Sequence, residues 1–175
     1  VPVMAETAAK VYMLQRTPTW MVSRPARDWF ANNLRKILPS QLAYDITRWR
    51  NILMQRLVYN HARKKPEETG QKLLEMAKKE LPAGTNLKRD FTPPYNPWEQ
   101  RLCLIPDGDM YKAITKGSAE IVTDHIDHFT PTGIKLKSGR ELEADMIVTA
   151  TGLNLVTLGK TQISVDGKAT TSADH

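Results

Sequence analysis

One cysteine, Cys103, stands in 175 residues, so the chain forms no internal disulfide and offers no cysteine cluster for zinc. A lone thiol suits a reducing, cytoplasmic compartment. No apolar run reaches 18 residues, which excludes a membrane-spanning helix on hydropathy. The first residues lack the basic, apolar and small-residue regions of a secretion signal. No G-x-G-x-x-G occurs, so this stretch carries no glycine-rich phosphate loop. Zinc-ligand spacing and aromatic-rich RNA-binding strands are also missing, and no nucleic-acid partner is assigned. Internal repeats and low-complexity tracts are absent. The chain starts at Val1 without a methionine and ends at Asp174-His175, and it reads as an excerpt of a longer protein.

What is present starts with Asp145–Gly152, DMIVTATG. Met146, Ile147, Val148 and Thr149 read as a strand buried on both faces, as in a parallel sheet. Ala150-Thr151-Gly152 follows with almost no side-chain bulk, which suits close passage of a second segment or a dinucleotide. The pattern points to a crossing between two nucleotide-binding units of a redox enzyme.

Charge is uneven. Residues 1–117 hold 20 Lys/Arg against 11 Asp/Glu, whereas residues 118–175 hold 5 against 8. The positive excess is densest between Arg48 and Lys65. A basic helical region suits nucleic acid, an anionic membrane surface or a phosphorylated cofactor, and the plainer reading is a solvated helix face.

Met4–Lys10 reads as the end of a helix, with Ala5, Ala8 and Ala9 suited to packing on a sheet. Val11–Leu14 then reads as a short buried strand ending in the polar stretch Gln15–Trp20. Helix, strand and polar end form the second half of a dinucleotide-binding βαβ unit, where residues past the strand meet the adenosine ribose. An acid there favours a free 2′-hydroxyl, and arginine with a hydroxyl favours a 2′-phosphate. Arg16 and Thr17 therefore argue for NADPH. The alternative is that Arg16 merely caps a surface loop.

Asp28–Leu81 reads as helical. Asp28 is an N-cap for Trp29–Leu38. Pro39-Ser40 restarts a helix in which Leu42, Ile46, Trp49, Leu53 and Leu57 form one stripe. The first reading of the stripe is burial against the sheet; the second is a surface facing a partner or a membrane and admitting lipophilic substrates. Pro66 with Glu67 and Glu68 opens a third helix, and Pro82-Ala83-Gly84 ends it. Thr85–Pro97 is a proline-rich connector. A turn at Ile105–Asp109 launches a short helix to Lys116-Gly117, Ala119–Thr123 is a strand, and Ile126–Phe129 with Ile134–Lys137 form a hairpin. Ile163–Val165 with a turn at Asp166-Gly167 begins something new.

Four segments together resemble class B flavoprotein monooxygenases: QRTPTW (15–20), FTPPYNPWEQRLCLIPDGD (91–109), SGRELEADMIVTATGLNL (138–155) and SVDG (164–167). The nearest subgroup is the Baeyer–Villiger-type enzymes similar to the mycobacterial ethionamide-activating monooxygenase. The resemblance runs over nearly the whole chain, in order. It implies an α/β fold: a partial, Rossmann-like NADP-binding domain of a two-dinucleotide-domain flavoprotein, with a helical insertion. Residues 1–27 would be a partial NADPH-binding unit, 28–84 the insertion, 85–149 the remainder with its β-hairpin, and 150–175 the crossing back into an FAD domain. The implied cofactors are FAD and NADPH. The implied reaction passes a hydride from NADPH to FAD and then, through a C4a-peroxyflavin, one oxygen atom from O₂ to a small lipophilic ketone or thio-compound.

By its place in EQRLC, Arg101 matches the family's active-site arginine, whose guanidinium stabilises developing negative charge beside the flavin. Many Baeyer–Villiger enzymes carry a lysine just before it; Gln100 is neutral and leaves the 2′-phosphate to Arg16 and Thr17. Ala150, Thr151 and Gly152 are the expected cofactor-contacting residues of the crossing. Asp107 and Asp109 read as caps at a helix start, and Cys103 reads as buried packing. His125 and His128 sit in the hairpin facing opposite sides, so no metal is assigned. The family's fingerprints for FAD and for the NADPH phosphates are missing from this stretch, which should not bind FAD tightly by itself. The alternatives are an inactive or stand-alone basic helical binding module and an NADPH-dependent flavoprotein reductase. The basic helices leave peripheral membrane contact as a further reading.

Overall fold

Val11–Gln15 forms strand β1 in the computed structural model, which describes residues 1–153, 159 and 161–170. β1 pairs in parallel with Ala119–Thr123, Val11 opposite Ala119 and Gln15 opposite Thr123. Both faces of this pair are covered, which is why its residues are mostly apolar. Met13 and Ile121 face a core holding Met21, Ala77, Leu81, Phe91, Ile105, Met110 and Tyr111. Tyr12, Leu14 and Val122 face a second core built on Ile134, Leu136 and Leu142.

In chain order the strands are β1, β2 (Trp20–Arg24), β3 (Leu102–Pro106), β4 (Ala119–Thr123), β5 (Ile126–Thr130), β6 (Gly133–Leu136), β7 (Glu141–Glu143), β8 (Ile163–Val165) and β9 (Lys168–Thr170). The helices are α1 (Trp29–Ile37), α2 (Ser40–Lys64), α3 (Pro66–Glu80), α4 (Leu87–Asp90) and α5 (Asp109–Thr115). β2 pairs in parallel with β3, Trp20 opposite Leu102, and α3 packs on β2. β5, β6 and β7 make an antiparallel meander. The architecture is mixed α/β.

Two compact units divide the chain, residues 1–143 and residues 144–175. Within the second, β8 and β9 pair as a hairpin across Asp166 and Gly167, with φ of 51° and 77°. Two consecutive positive φ values make the turn whose twist matches the strands, and Asp-Gly favours it.

Local signals place the helix ends. Asp28 accepts a hydrogen bond from the Ala31 amide at 3.1 Å as N-cap of α1. Arg50 Nη1 holds both Asp28 oxygens at 3.1 Å, its guanidinium over the Phe30 ring. The amide bond and Arg50 together keep the Asp28 carboxyl below the usual carboxylate range. Pro66 opens α3 at a position where its missing N–H is unneeded.

Four expectations are corrected. Met146–Thr149 is not a strand: Met146 and Val148 are 76% and 64% exposed and no partner strand pairs with them among the described residues. An apolar run marks where a strand can form, but only a neighbouring ladder makes one. The α2 stripe is not buried against the sheet. Leu42, Ile46, Trp49, Leu53 and Leu57 are exposed, and the buried residues of α2 are Ala43 and Ala62, whose small side chains allow close approach. Met4–Lys10 holds only a three-residue 3₁₀ turn, Met4–Glu6, with Ala8 and Ala9 exposed; so short a turn has no cooperative stability. The connector expected over Thr85–Pro97 is interrupted by a four-residue helix at Leu87–Asp90, and Trp20–Arg24, which the sequence leaves unassigned past Trp20, is a strand.

Candidate functional site

Past the carboxyl end of β1 the chain runs through Arg16, Thr17, Pro18 and Thr19 before β2 begins. On the other side, Gln100 and Arg101 lead into the amino end of β3. Between them lies an open cleft of about 840 Å³ lined by Arg16, Thr17, Pro18, Thr19, Pro94, Tyr95, Gln100, Arg101 and Cys103. Four expected site residues, Arg16, Thr17, Gln100 and Arg101, therefore share one depression.

The frame around them is hydrogen bonded. Tyr95 Oη donates to Thr19 Oγ1 at 3.0 Å, and Trp20 Nε1 donates to the Tyr95 carbonyl at 2.8 Å. Thr19 Oγ1 also reaches the Arg101 carbonyl at 3.4 Å, which ties the two sides of the cleft together. At the foot of β1, Gln15 Nε2 donates to the Asp90 carbonyl and to Thr123 Oγ1, both at 2.9 Å. Asp90 is a buried carboxylate held by Arg89 at 2.8 and 2.9 Å and by Thr123 Oγ1 at 2.8 Å. That network anchors the connector against the β1–β4 pair and so fixes where Arg16 emerges.

Electrostatically the cleft is one-sided. Its nine lining residues include two arginines and no carboxylate. Among the described residues, neither the Arg16 nor the Arg101 guanidinium has an ion-pair or hydrogen-bond partner, and both residues are exposed. Such a pocket favours a ligand carrying negative charge.

Other expectations fall elsewhere. Ala150, Thr151 and Gly152 are exposed residues of the second unit; Asn154 and Leu155 lie outside the described residues. Asp107 accepts from the Ala26 amide at 3.0 Å and Asp109 from the Met110 amide at 2.7 Å, so both carboxylates serve backbone groups, with Gly108 as the N-cap of α5. Cys103 is half-buried: it packs on the core and also lines the cleft, 4.0 Å from Thr19 Oγ1. His128 pairs with its neighbour Asp127 at 2.8 Å. Thr19 and Tyr95 are functional candidates that the sequence reading missed. Both sit inside the motif segments, but their pairing across 76 positions is invisible without the fold. No helix among the described residues is long and apolar enough to cross a membrane.

No family profile matches the chain. The FAD-containing monooxygenase EthA of Mycobacterium tuberculosis is 48% identical over 169 residues, 96% of this chain and 35% of EthA. The FAD-containing monooxygenase EthA of Mycolicibacterium smegmatis is 47% identical over 161 residues, 92% of this chain and 33% of its own length. The chain thus spans about a third of the length of these curated relatives. Among solved structures, the crystal structure of OTEMO in complex with FAD and NADP matches the fold with a TM-score of 0.60 at 17% identity, over 87% of this chain and 35% of OTEMO.

Proposed function

We propose that the chain is part of an FAD- and NADPH-dependent monooxygenase that oxygenates a small lipophilic ketone, in the Baeyer–Villiger manner, or a thio-compound, with O₂ as co-substrate. In this reading residues 1–27 and 85–149 form a Rossmann-like NADP-binding region, 28–84 its helical insertion, and 150–175 the crossing toward an FAD-binding region through Ala150, Thr151 and Gly152. The observation that carries the reading is the cleft in which Arg16 and Arg101 stand without a carboxylate. Similarity to the EthA proteins supplies the reaction class.

The cleft residues fit a phosphorylated dinucleotide. Arg16 presents a guanidinium without a partner among the described residues just past the end of β1, where a 2′-phosphate accepts charge-assisted hydrogen bonds, and Thr17 adds a hydroxyl. Gln100 orients through neutral amide hydrogen bonds. Arg101 enters from the opposite wall and stabilises negative charge that develops at the oxygen being transferred. The bound flavin supplies hydride acceptance and oxygen activation. The protein's share is placement and charge.

The test uses the full-length, FAD-loaded protein with NADPH, cyclohexanone and thioanisole as probe substrates. Wild type forms lactone or sulfoxide, and Arg101→Ala loses oxygenated product while keeping FAD. Unchanged product in Arg101→Ala overturns its role. NADPH oxidation without oxygenated product establishes the reductase reading, and a native protein that takes up no FAD establishes the binding-module reading.

The exposed stripe of α2 supports a second element, peripheral contact with an anionic membrane surface. Trp49 and four aliphatic residues line one face, and Arg56, Arg63 and Lys64 lie beside it. Co-sedimentation of the full-length protein with phosphatidylglycerol vesicles, lost in Leu53→Glu, is the expected result. Absence of binding removes this element and leaves the catalytic reading intact.

A further inference from the structure

Tyr59, near the carboxyl end of α2, meets Trp98 edge to face, ring centroids 6.1 Å apart at 75°. This aromatic pair joins the helical insertion to the turn that delivers Gln100 and Arg101. One helical turn along, Arg63 Nη1 lies 3.9 Å from Glu99 Oε1, so two successive residues of the turn touch α2. Ala62 between them is fully buried, so this stretch of α2, like that at Ala43, is packed against the rest of the unit. The remainder of the 25-residue helix is largely exposed.

The turn itself is held under constraint. Trp98 adopts φ of 69°, in the left-handed region that bulky residues rarely occupy. Strain of this kind persists where the surroundings over-determine a conformation, and it collects at functional sites. The surroundings here are specific. Pro97 is fully buried. Glu99 accepts from the Asn96 amide and from Asn96 Nδ2, both at 2.9 Å, and the Glu99 amide returns a bond to the Asn96 carbonyl at 3.1 Å. The Trp20 indole fixes the carbonyl of Tyr95 immediately upstream. Three residues after Trp98 comes Arg101, whose guanidinium has no partner among the described residues. Downstream, the residue runs straight into β3, where Leu102 pairs with Trp20, and its own carbonyl accepts from Thr19 Oγ1 at 3.4 Å. The turn fixes the approach from the other side.

We propose that Tyr59 and Trp98 are positioning residues for Arg101: the insertion, through this ring contact, holds the strained Asn96–Glu99 turn and thereby aims the guanidinium into the cleft. The inference rests on the reading of Arg101 given above. Ionic contact alone does not suffice, since the Arg63–Glu99 pair is exposed at 3.9 Å and contributes little. The rings carry the contact, because an edge-to-face pair fixes both distance and tilt.

The experiment compares Tyr59→Leu and Tyr59→Phe in the full-length, FAD-loaded protein. Tyr59 is 46% exposed, so both variants fold, and thermal midpoints near wild type check this. Hydrogen exchange of the 95–101 backbone amides, measured without substrate, speeds up in Tyr59→Leu and stays at the wild-type rate in Tyr59→Phe. Turnover to oxygenated product from cyclohexanone or thioanisole falls about tenfold or more in Tyr59→Leu with KM for NADPH unchanged, the signature of a misplaced catalytic group. Tyr59→Phe restores turnover. Unchanged exchange in Tyr59→Leu overturns the coupling, and faster exchange with unchanged turnover reduces the pair to a structural contact. Arg101→Ala run alongside separates the levels: if it keeps full oxygenation the parent reading fails. If it loses oxygenation while Tyr59→Leu behaves as wild type, only the positioning inference fails.

Discussion

The ring of Trp20 occupies the place where a side chain on Gly70 would begin: a Cβ there would stand 2.9 Å from Trp20 Cη2. α3 thus lies against the start of β2 through its one residue without a Cβ, and Trp20 is locked from its other side by the bond to Tyr95. Alanine gains about 1 kcal/mol over glycine inside a helix, but overpacking a rigid ring costs about 1–3 kcal/mol. Gly70→Ala is therefore expected to be neutral to destabilising, and Gly70→Leu clearly destabilising, in denaturant melts of the full-length protein. A stabilised Gly70→Ala shows that α3 stands off from β2.

Tyr111 carries a hydroxyl buried in the core with no hydrogen-bond partner among the described residues, and burial, with Glu80 adding repulsion, pushes its pKa up to about 12. An unmade buried hydrogen bond costs about 1–3 kcal/mol. Tyr111→Phe keeps the ring and deletes the orphan, so the variant is expected to match or exceed wild type in thermal midpoint. A clear loss shows an ordered water bonded to Oη.

Much of this architecture is legible where the signal is local. Asp28 before an apolar helix, Pro66 with two glutamates, and Asp166-Gly167 between short strands each determine their own few residues. Trp20–Arg24 escapes such reading because its ladder partner, Leu102–Pro106, lies some eighty positions away. The run at Met146–Thr149 shows the converse, an apolar pattern that lacks a neighbouring strand among the described residues. At the cleft, Arg16 and Arg101 are visible inside motifs. Their convergence, and the Thr19–Tyr95 bond that shapes it, belongs to the fold.

Glu68 sits at the start of α3, with Lys72 Nζ at 2.6 Å and Lys65 Nζ at 3.2 Å. Their hydrogen bonds and charges bring its pKa from the ordinary 4.5 to about 2. A depressed carboxylate contributes stability that is complete above the unfolded value and disappears as pH falls through the folded one. Thermal midpoints of Glu68→Gln should then lie below wild type at pH 6 and converge with it by about pH 2. Because all three groups are exposed, molar salt should shrink the difference. A gap that persists at low pH refutes the ionic origin.

Arg16 is expected to choose between the nicotinamide cofactors. A guanidinium facing a 2′-phosphate contributes only when that phosphate is present, so Arg16→Ala raises KM for NADPH by about tenfold or more and leaves KM for NADH nearly unchanged. Gln100 carries no charge to compensate. Steady-state NADPH and NADH oxidation by the full-length, FAD-loaded variant reads the ratio directly. Equal effects on both cofactors place Arg16 outside the phosphate site.

The helix α2 inverts the usual relation between side-chain size and burial. Its large residues face outward, Leu53 at 56% and Leu57 at 65% exposure, whereas Ala43 and Ala62 are sealed. If stability follows contact, substitutions must rank by position and not by hydrophobicity. Leu53→Gln, made at an exposed site, is expected within about 0.5 kcal/mol of wild type. Ala43→Leu adds three carbons to a closed contact and should cost about 1–3 kcal/mol. The pair is measured by denaturant unfolding of the full-length protein without lipid. Should the order reverse, with Leu53→Gln the costly change, the stripe is covered in the native protein by the polypeptide itself. An apolar face already covered cannot meet a membrane, so that result would also dispose of the peripheral contact.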